Sequence, residues 1–307
     1  MVIRFGERKN DTKFFVFFFL WMCIITVLYI LSGQKLQLDF LSKSFILLPF
    51  FLLSFLLTLL LYYISLEGFG FKLKLVNLLE LYLIITCLDF LSGQMLPFGE
   101  LAGAAYLMFK LNTKRNSSLI WAIFLVFSSL AGFIVAAGLF LILALKSLLL
   151  APIFLIAFIF LLHSQEKKML PFLFKKINIH LKLDKSRTMI KNPSLIYHLI
   201  LIQSILFLFN GIVFGMWVSQ SMDFDAIAKD AVGYYISFIG STGISVIPGV
   251  FETLSLIQNK IGLIESSSVI AFSSTFQLVF FWIPLAVGIL FTSRQIYKIN
   301  LNKIIKK

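Results

Sequence analysis

The chain has 307 residues, of which 60% are hydrophobic and 13% charged, and a formal charge of +13. No soluble core absorbs that much apolar surface, and no exposed domain is left on which the positive charge could meet nucleic acid. The composition therefore predicts an all-α, polytopic integral membrane protein.

A basic tail at 1–13 carries Arg4, Arg8, Lys9 and Lys13 and leads into an apolar segment at 14–31. That run is about as long as a membrane span and no small-x-small cleavage signal follows, so a retained first helix is expected rather than a signal peptide. Further apolar segments lie at 45–64, 118–145, 147–162, 195–218 and 268–292. Each has, or nearly has, the roughly 20 residues that a crossing helix needs, which gives about six transmembrane helices. Two more apolar segments, 78–109 and 232–261, are interrupted by glycine and proline. Cys23 and Cys87 sit inside apolar runs and carry no redox signal, and His163, His180 and His198 lack metal-ligand spacing. No metal and no cofactor is expected.

Positive charge orients these segments. The tail 1–13, the linker 163–193 and the end 293–307 are the strongest basic clusters, so all three are expected in the cytoplasm, with both termini inside a multi-pass cell-membrane protein. A single crossing by 78–109 would put the first tail and the linker on opposite sides. A re-entrant hairpin removes the conflict, because 101–109 is far short of a span. The loop before 232–261 carries Asp223, Asp225 and Asp230 against Lys229, which suits the outside. The two hairpins then enter from opposite faces. One membrane domain, 14–292, results, with halves 14–162 and 194–292 joined by the linker and a possible inverted repeat between them. In that linker Lys167, Lys168, Lys175 and Lys176 alternate with Leu, Phe and Ile. They mark either a segment lying on anionic lipid headgroups or a plain orientation signal.

The hairpins correspond in sequence. "GQMLPFGE" at 93–100 and "GISVIPGVFE" at 243–252 share the order Gly, apolar, Pro, Gly, Glu, and each is followed by a similar helix start, "SSLIWA" or "SSVIAF". Pro97, Gly99, Pro248 and Gly249 are the expected helix breakers, tolerated at membrane depth where irregular backbone lines a cavity. Glu100 and Glu252 are the candidate site carboxylates. Each would cost about 3 kcal/mol at the bilayer midplane, so a carboxylate there points to a cavity or a partner, while a shallow hairpin would let it meet interfacial water. Glu80 and Asp89, nine residues apart, do not share a helical face and are expected as ordinary polar positions.

The windows "LPFGELAGAAYLMFKLNTKRNSSLIWAIFLVFSSLAG" and "IPGVFETLSLIQNKIGLIESSSVIAFSSTFQLVFFWIPLAVG" resemble the two signature regions of the lysylphosphatidylglycerol synthase transmembrane-region, or flippase-domain, family. The resemblance implies a membrane fold with two re-entrant elements around a central cavity. It also implies a role in moving aminoacyl phospholipids or in lipid-linked glycan pathways. The chain departs from the family pattern in three places. "PFGE" is shortened, with Gly103 and Ala104 near the position of an expected arginine. "PGVFE" lacks a glycine run, and "FSSLAG" and "STFQLVF" stand where polar Arg and Asp are usual.

The expectation is a lipid transporter or flippase-like protein that meets a polar headgroup with Glu100 and Glu252 and its phosphate with the broken helix ends. The alternatives are a membrane-embedded transferase or the partner of one, and a non-catalytic envelope-maintenance protein. No nucleophile elbow, phosphate loop or paired acid and base is present, so an enzyme is the lesser expectation. Expected partners are membrane lipids, anionic at the cytoplasmic face, and a glycosyltransferase or aminoacyl-transferase.

Overall fold

The structure is a computed structural model that describes residues 7–32, 40–91, 98–145, 195–244, 249–264 and 268–289. Pro97, Pro248, Lys167, Lys168, Lys175, Lys176 and the expected span 147–162 lie outside the described residues. Every regular element among the described residues is helical. They are α1 (Glu7–Ser32), α2 (Phe40–Gly68), α3 (Leu75–Leu91), α4 (Phe98–Leu111), α5 (Arg115–Leu145), α6 (Leu195–Ser219), α7 (Phe224–Ile244), α8 (Val250–Lys260) and α9 (Val269–Gln277). A π turn, Leu278–Trp282, follows α9, and helix resumes to residue 289.

Four stretches are long and apolar enough to cross a membrane: Phe45–Gly68, Ser117–Ala144, Leu195–Ser219 and Val269–Ile289. They coincide with four of the segments expected from sequence. In α1 the apolar stretch is Phe18–Leu28. The outward faces of these helices carry large apolar side chains, among them Phe45, Leu52, Leu56, Leu130 and Leu201, all exposed. Water would penalise such a surface, whereas hydrocarbon would not.

The two interrupted segments each fold as a pair of antiparallel helices. In the first, Glu80 near the start of α3 meets Tyr106 and Lys110 near the end of α4. Gly103 lies against Leu81 and Ile85 so closely that a Cβ there would sit 3.0 Å from the Ile85 Cδ1. In the second, Ser237 of α7 meets Ser255 and Gln258 of α8. Neither returning helix is long. At 1.5 Å per residue, the 14 residues of α4 and 11 of α8 span about 21 and 16 Å, less than the hydrocarbon thickness.

The order of packing repeats between the halves. α2 lies on α3, α3 on α4 and α4 on α5; α6 lies on α7, α7 on α8 and α8 on α9. The halves are joined by α5 on α6 and, reciprocally, by α9 on α2. Gly132 makes the first of these joints possible: a Cβ there would be 2.5 Å from the Gln203 Cβ and 2.8 Å from the Ser204 amide nitrogen. Small residues permit such backbone approach where no hydrophobic effect drives helices together. Indole donors pin other joints. Trp121 donates to Ser65 at 2.9 Å, tying α5 to α2, and Trp217 donates to the Phe272 carbonyl at 3.1 Å, tying α6 to α9. Two apolar cores result. One fills the first hairpin and its neighbours around Leu81, Leu107 and Trp121, and the other surrounds the second hairpin around Phe214, Tyr234 and Phe276.

Candidate functional site

Both candidate carboxylates occupy the third residue of a returning hairpin helix, since α4 begins at Phe98 and α8 at Val250. A negative group in the first turn offsets the partial positive charge of the unpaired amides there. At α8 the geometry is explicit. Gly249, with φ +84°, takes the left-handed conformation that only glycine adopts readily, and the chain turns through it into the helix. Its carbonyl then accepts bonds from the Thr253 amide and hydroxyl.

Glu252 is 1% exposed. Its Oε1 accepts a 2.7 Å hydrogen bond from the Trp21 indole of α1, and its side chain also accepts from its own amide. Trp21 in turn packs against Phe18 and Trp282. Glu252 thus faces α1 from the interior of the second core. Glu100 is partly exposed and Gly99 is buried at the start of α4. Near the position of the expected arginine, Gly103 packs on α3 and Ala104 is fully buried, so that joint has no room for a long basic side chain.

Glu80, expected as an ordinary interfacial residue, has a defined role in the first hairpin. It is 5% exposed; Tyr106 donates to its Oε2 at 2.6 Å, and Lys110 Nζ lies 3.6 Å from the same oxygen. The α3 and α4 arms are held together at their open end by this cluster.

Between the halves lies a partly open cavity of about 260 Å³. Its walls come from both hairpins, through α3 on one side and α7 and α8 on the other, closed by α2, α6 and the π turn. Aromatic rings dominate it. Phe276 and Phe280 stack with centroids 4.4 Å apart across the π turn, and Phe55 meets the Tyr82 ring edge-on at 4.9 Å. Polar groups are interleaved with the rings. The Ser54 hydroxyl donates to Asn210 Oδ1 at 3.0 Å, Tyr234 shares a hydrogen bond with Asn210, and Tyr82 shares one with Thr86. Thr58, Tyr62 and Gln277 complete the polar lining. The π turn sits at this wall, a position typical of such bulges at functional sites.

Neither Glu100 nor Glu252 lines this cavity. The residues that do line it were not singled out by sequence reasoning, because each is one polar side chain within an apolar run. The available signal was the identity of Asn210 in "FLFNGIVFG" and Gln277 in "STFQLVF", carboxamides that lipid-facing positions would exclude. Among the described residues no group of three or more His, Cys, Asp or Glu side chains converges as a metal site would require.

Fold and cavity together define an all-helical bundle with four membrane-length helices and a polar, aromatic-lined chamber between two helical hairpins. No family model, curated protein or solved structure matches the chain.

Proposed function

We propose that the protein is a lipid transporter or flippase-like protein of the cell membrane, and that the cavity between its hairpins takes a polar lipid headgroup while the acyl chains stay in the bilayer. The observation that carries this reading is the chamber itself. Hydroxyl and carboxamide groups gathered in an otherwise apolar bundle offer a polar visitor hydrogen-bond partners there, over and above the bonds they make with one another. Both hairpins contribute to the wall, so a shift of either changes access to the chamber.

The topology that suits this role has both termini and the basic linker inside, with the α3–α4 hairpin re-entering from the cytoplasmic face and α7–α8 from the outer face. Lengths too short to cross support re-entry. The repeated packing order supports an inverted repeat, a recurring transporter architecture with its site at the repeat interface. The resemblance to the flippase-domain family points the same way. In this reading Glu100 and Glu252 set the hairpin helices that bound the path, with glycosyltransferase or aminoacyl-transferase chemistry supplying the lipid on one side.

Leaflet exchange in reconstituted vesicles tests the reading. Fluorescent glycosyl and aminoacyl lipids are placed in the inner leaflet, and their arrival outside is followed with a membrane-impermeant quencher. Exchange faster than in protein-free vesicles is expected for at least one of these lipids, and equal rates for all of them would end the assignment.

A further inference from the structure

We propose that the cavity selects an uncharged, hydroxyl-rich headgroup, a single glycosyl ring, over a cationic or anionic one. The inference rests on the cavity being the headgroup site proposed above and names the chemistry it takes. Its ground is the lining, which among the described residues contains no Asp, Glu, Lys, Arg or His. The carboxylate that could have served a cation, Glu252, is turned to the Trp21 indole instead. A charged headgroup entering this chamber would give up its water with no counter-charge to replace it.

A sugar ring loses nothing comparable. Its hydroxyls can donate to the oxygens of Ser54 and Thr58, whose own protons are engaged within the protein, and can both donate to and accept from the Gln277 carboxamide. Its apolar C–H face matches the aromatic side chains that dominate the lining. The size is appropriate as well. At about 30 Å³ per water the cavity holds the equivalent of roughly eight or nine waters, enough for one ring.

Gln277 is the informative residue. Asn210 and Thr86 are engaged with protein groups, whereas the Gln277 carboxamide makes no hydrogen bond to any described residue and sits at the π turn facing the chamber. Replacing it therefore removes a polar group of the lining without breaking a hydrogen bond among the described residues.

The test uses the full chain in phosphatidylcholine nanodiscs with radiolabelled octyl β-glucoside below its micelle threshold, corrected for uptake by empty nanodiscs. Saturable binding is expected, competed by unlabelled octyl glucoside and not by octyltrimethylammonium or octyl phosphate. Methyl glucoside is the arm for a free sugar; competition by it at similar concentration would assign the site to soluble sugars, and weak competition to glycolipid. Gln277→Leu should weaken binding about three- to tenfold at unchanged melting temperature. Gln277→Glu should lose glucoside binding and make octyltrimethylammonium the effective ligand, and Gln277→Met is the substitute should the leucine variant melt early. Absence of saturable glucoside binding, effective competition by either charged compound in the wild type, or wild-type affinity in the leucine or methionine variant overturns the inference. Glucoside binding without leaflet exchange of any lipid would retire the transport reading and keep this one; exchange of charged lipids without glucoside binding would do the reverse.

Discussion

The Trp21 indole donates a 2.7 Å hydrogen bond to Glu252 across 231 residues of sequence, and this joins the first helix of the chain to the returning arm of the second hairpin. Both partners are buried, Trp21 at 2% and Glu252 at 1% exposure. The carboxylate is therefore a fixed part of the α1–α8 joint.

Trp21→Phe keeps a ring against Phe18 and Trp282 but removes the donor. The expected loss is about 1–3 kcal/mol of stability, because the buried carboxylate is left with fewer partners. Glu252→Gln keeps an acceptor oxygen and should cost less. Thermal unfolding in detergent measures both, and the double variant should lose less than the sum of the singles. Additive losses would show that the bond carries no coupling.

The first hairpin offers a contrast between a buried bond and an exposed ion pair. Tyr106→Phe deprives Glu80 of a 2.6 Å donor and should destabilise by about 1–3 kcal/mol. Lys110→Ala should cost under about 1 kcal/mol, since the side chain is 45% exposed and its nitrogen is 3.6 Å from the carboxylate. The reverse ranking in a melting experiment would mean that the ion pair holds the arms together.

Gly132→Leu forces a side chain into backbone of α6. Overpacking of that kind costs about 1–3 kcal/mol, and here the neighbour includes the Ser204 main chain, which cannot rotate aside. A lower melting temperature and reduced yield in membranes are expected. Unchanged melting would indicate that α5 and α6 do not approach as described.

The proposed topology has a direct readout. In a background lacking Cys23 and Cys87, Lys114→Cys should react with impermeant maleimide only from the cytoplasmic side and Asp223→Cys only from the outside. Both positions are exposed in the structure. Labelling of the two from one side would remove the opposed-hairpin arrangement.

The long helices were legible because length and apolarity alone specify them, and 195–218, for example, differs from α6 by one residue. The order Gly, Pro, Gly, Glu likewise marked where α4 and α8 begin; both place Glu third in the helix, and at α8 a left-handed glycine precedes it. What that pattern could not reveal is the direction of Glu252, which depends on an indole far away in sequence. The chamber was hidden for the same reason. Ser54, Tyr82, Asn210 and Gln277 come from four helices, and no spacing along the chain relates them. Expected at a headgroup, Glu100 and Glu252 lie outside the cavity lining, which among the described residues is made of neutral side chains.

The π turn at Leu278–Trp282 has a consequence for how the chain can be altered. Its hydrogen bonds span five residues instead of four, so it holds one residue more than an α turn. Removing any single residue from 278–282 would let the turn relax to α geometry, so the helix beyond it keeps nearly its orientation, whereas a deletion from a regular α-helix turns everything beyond it by about 100°. Leu285 would stay at the chamber wall and Gly288 on its seat at the Leu83 carbonyl of α3. The π turn is thus a place where this helix can lose a residue without parting from the first hairpin.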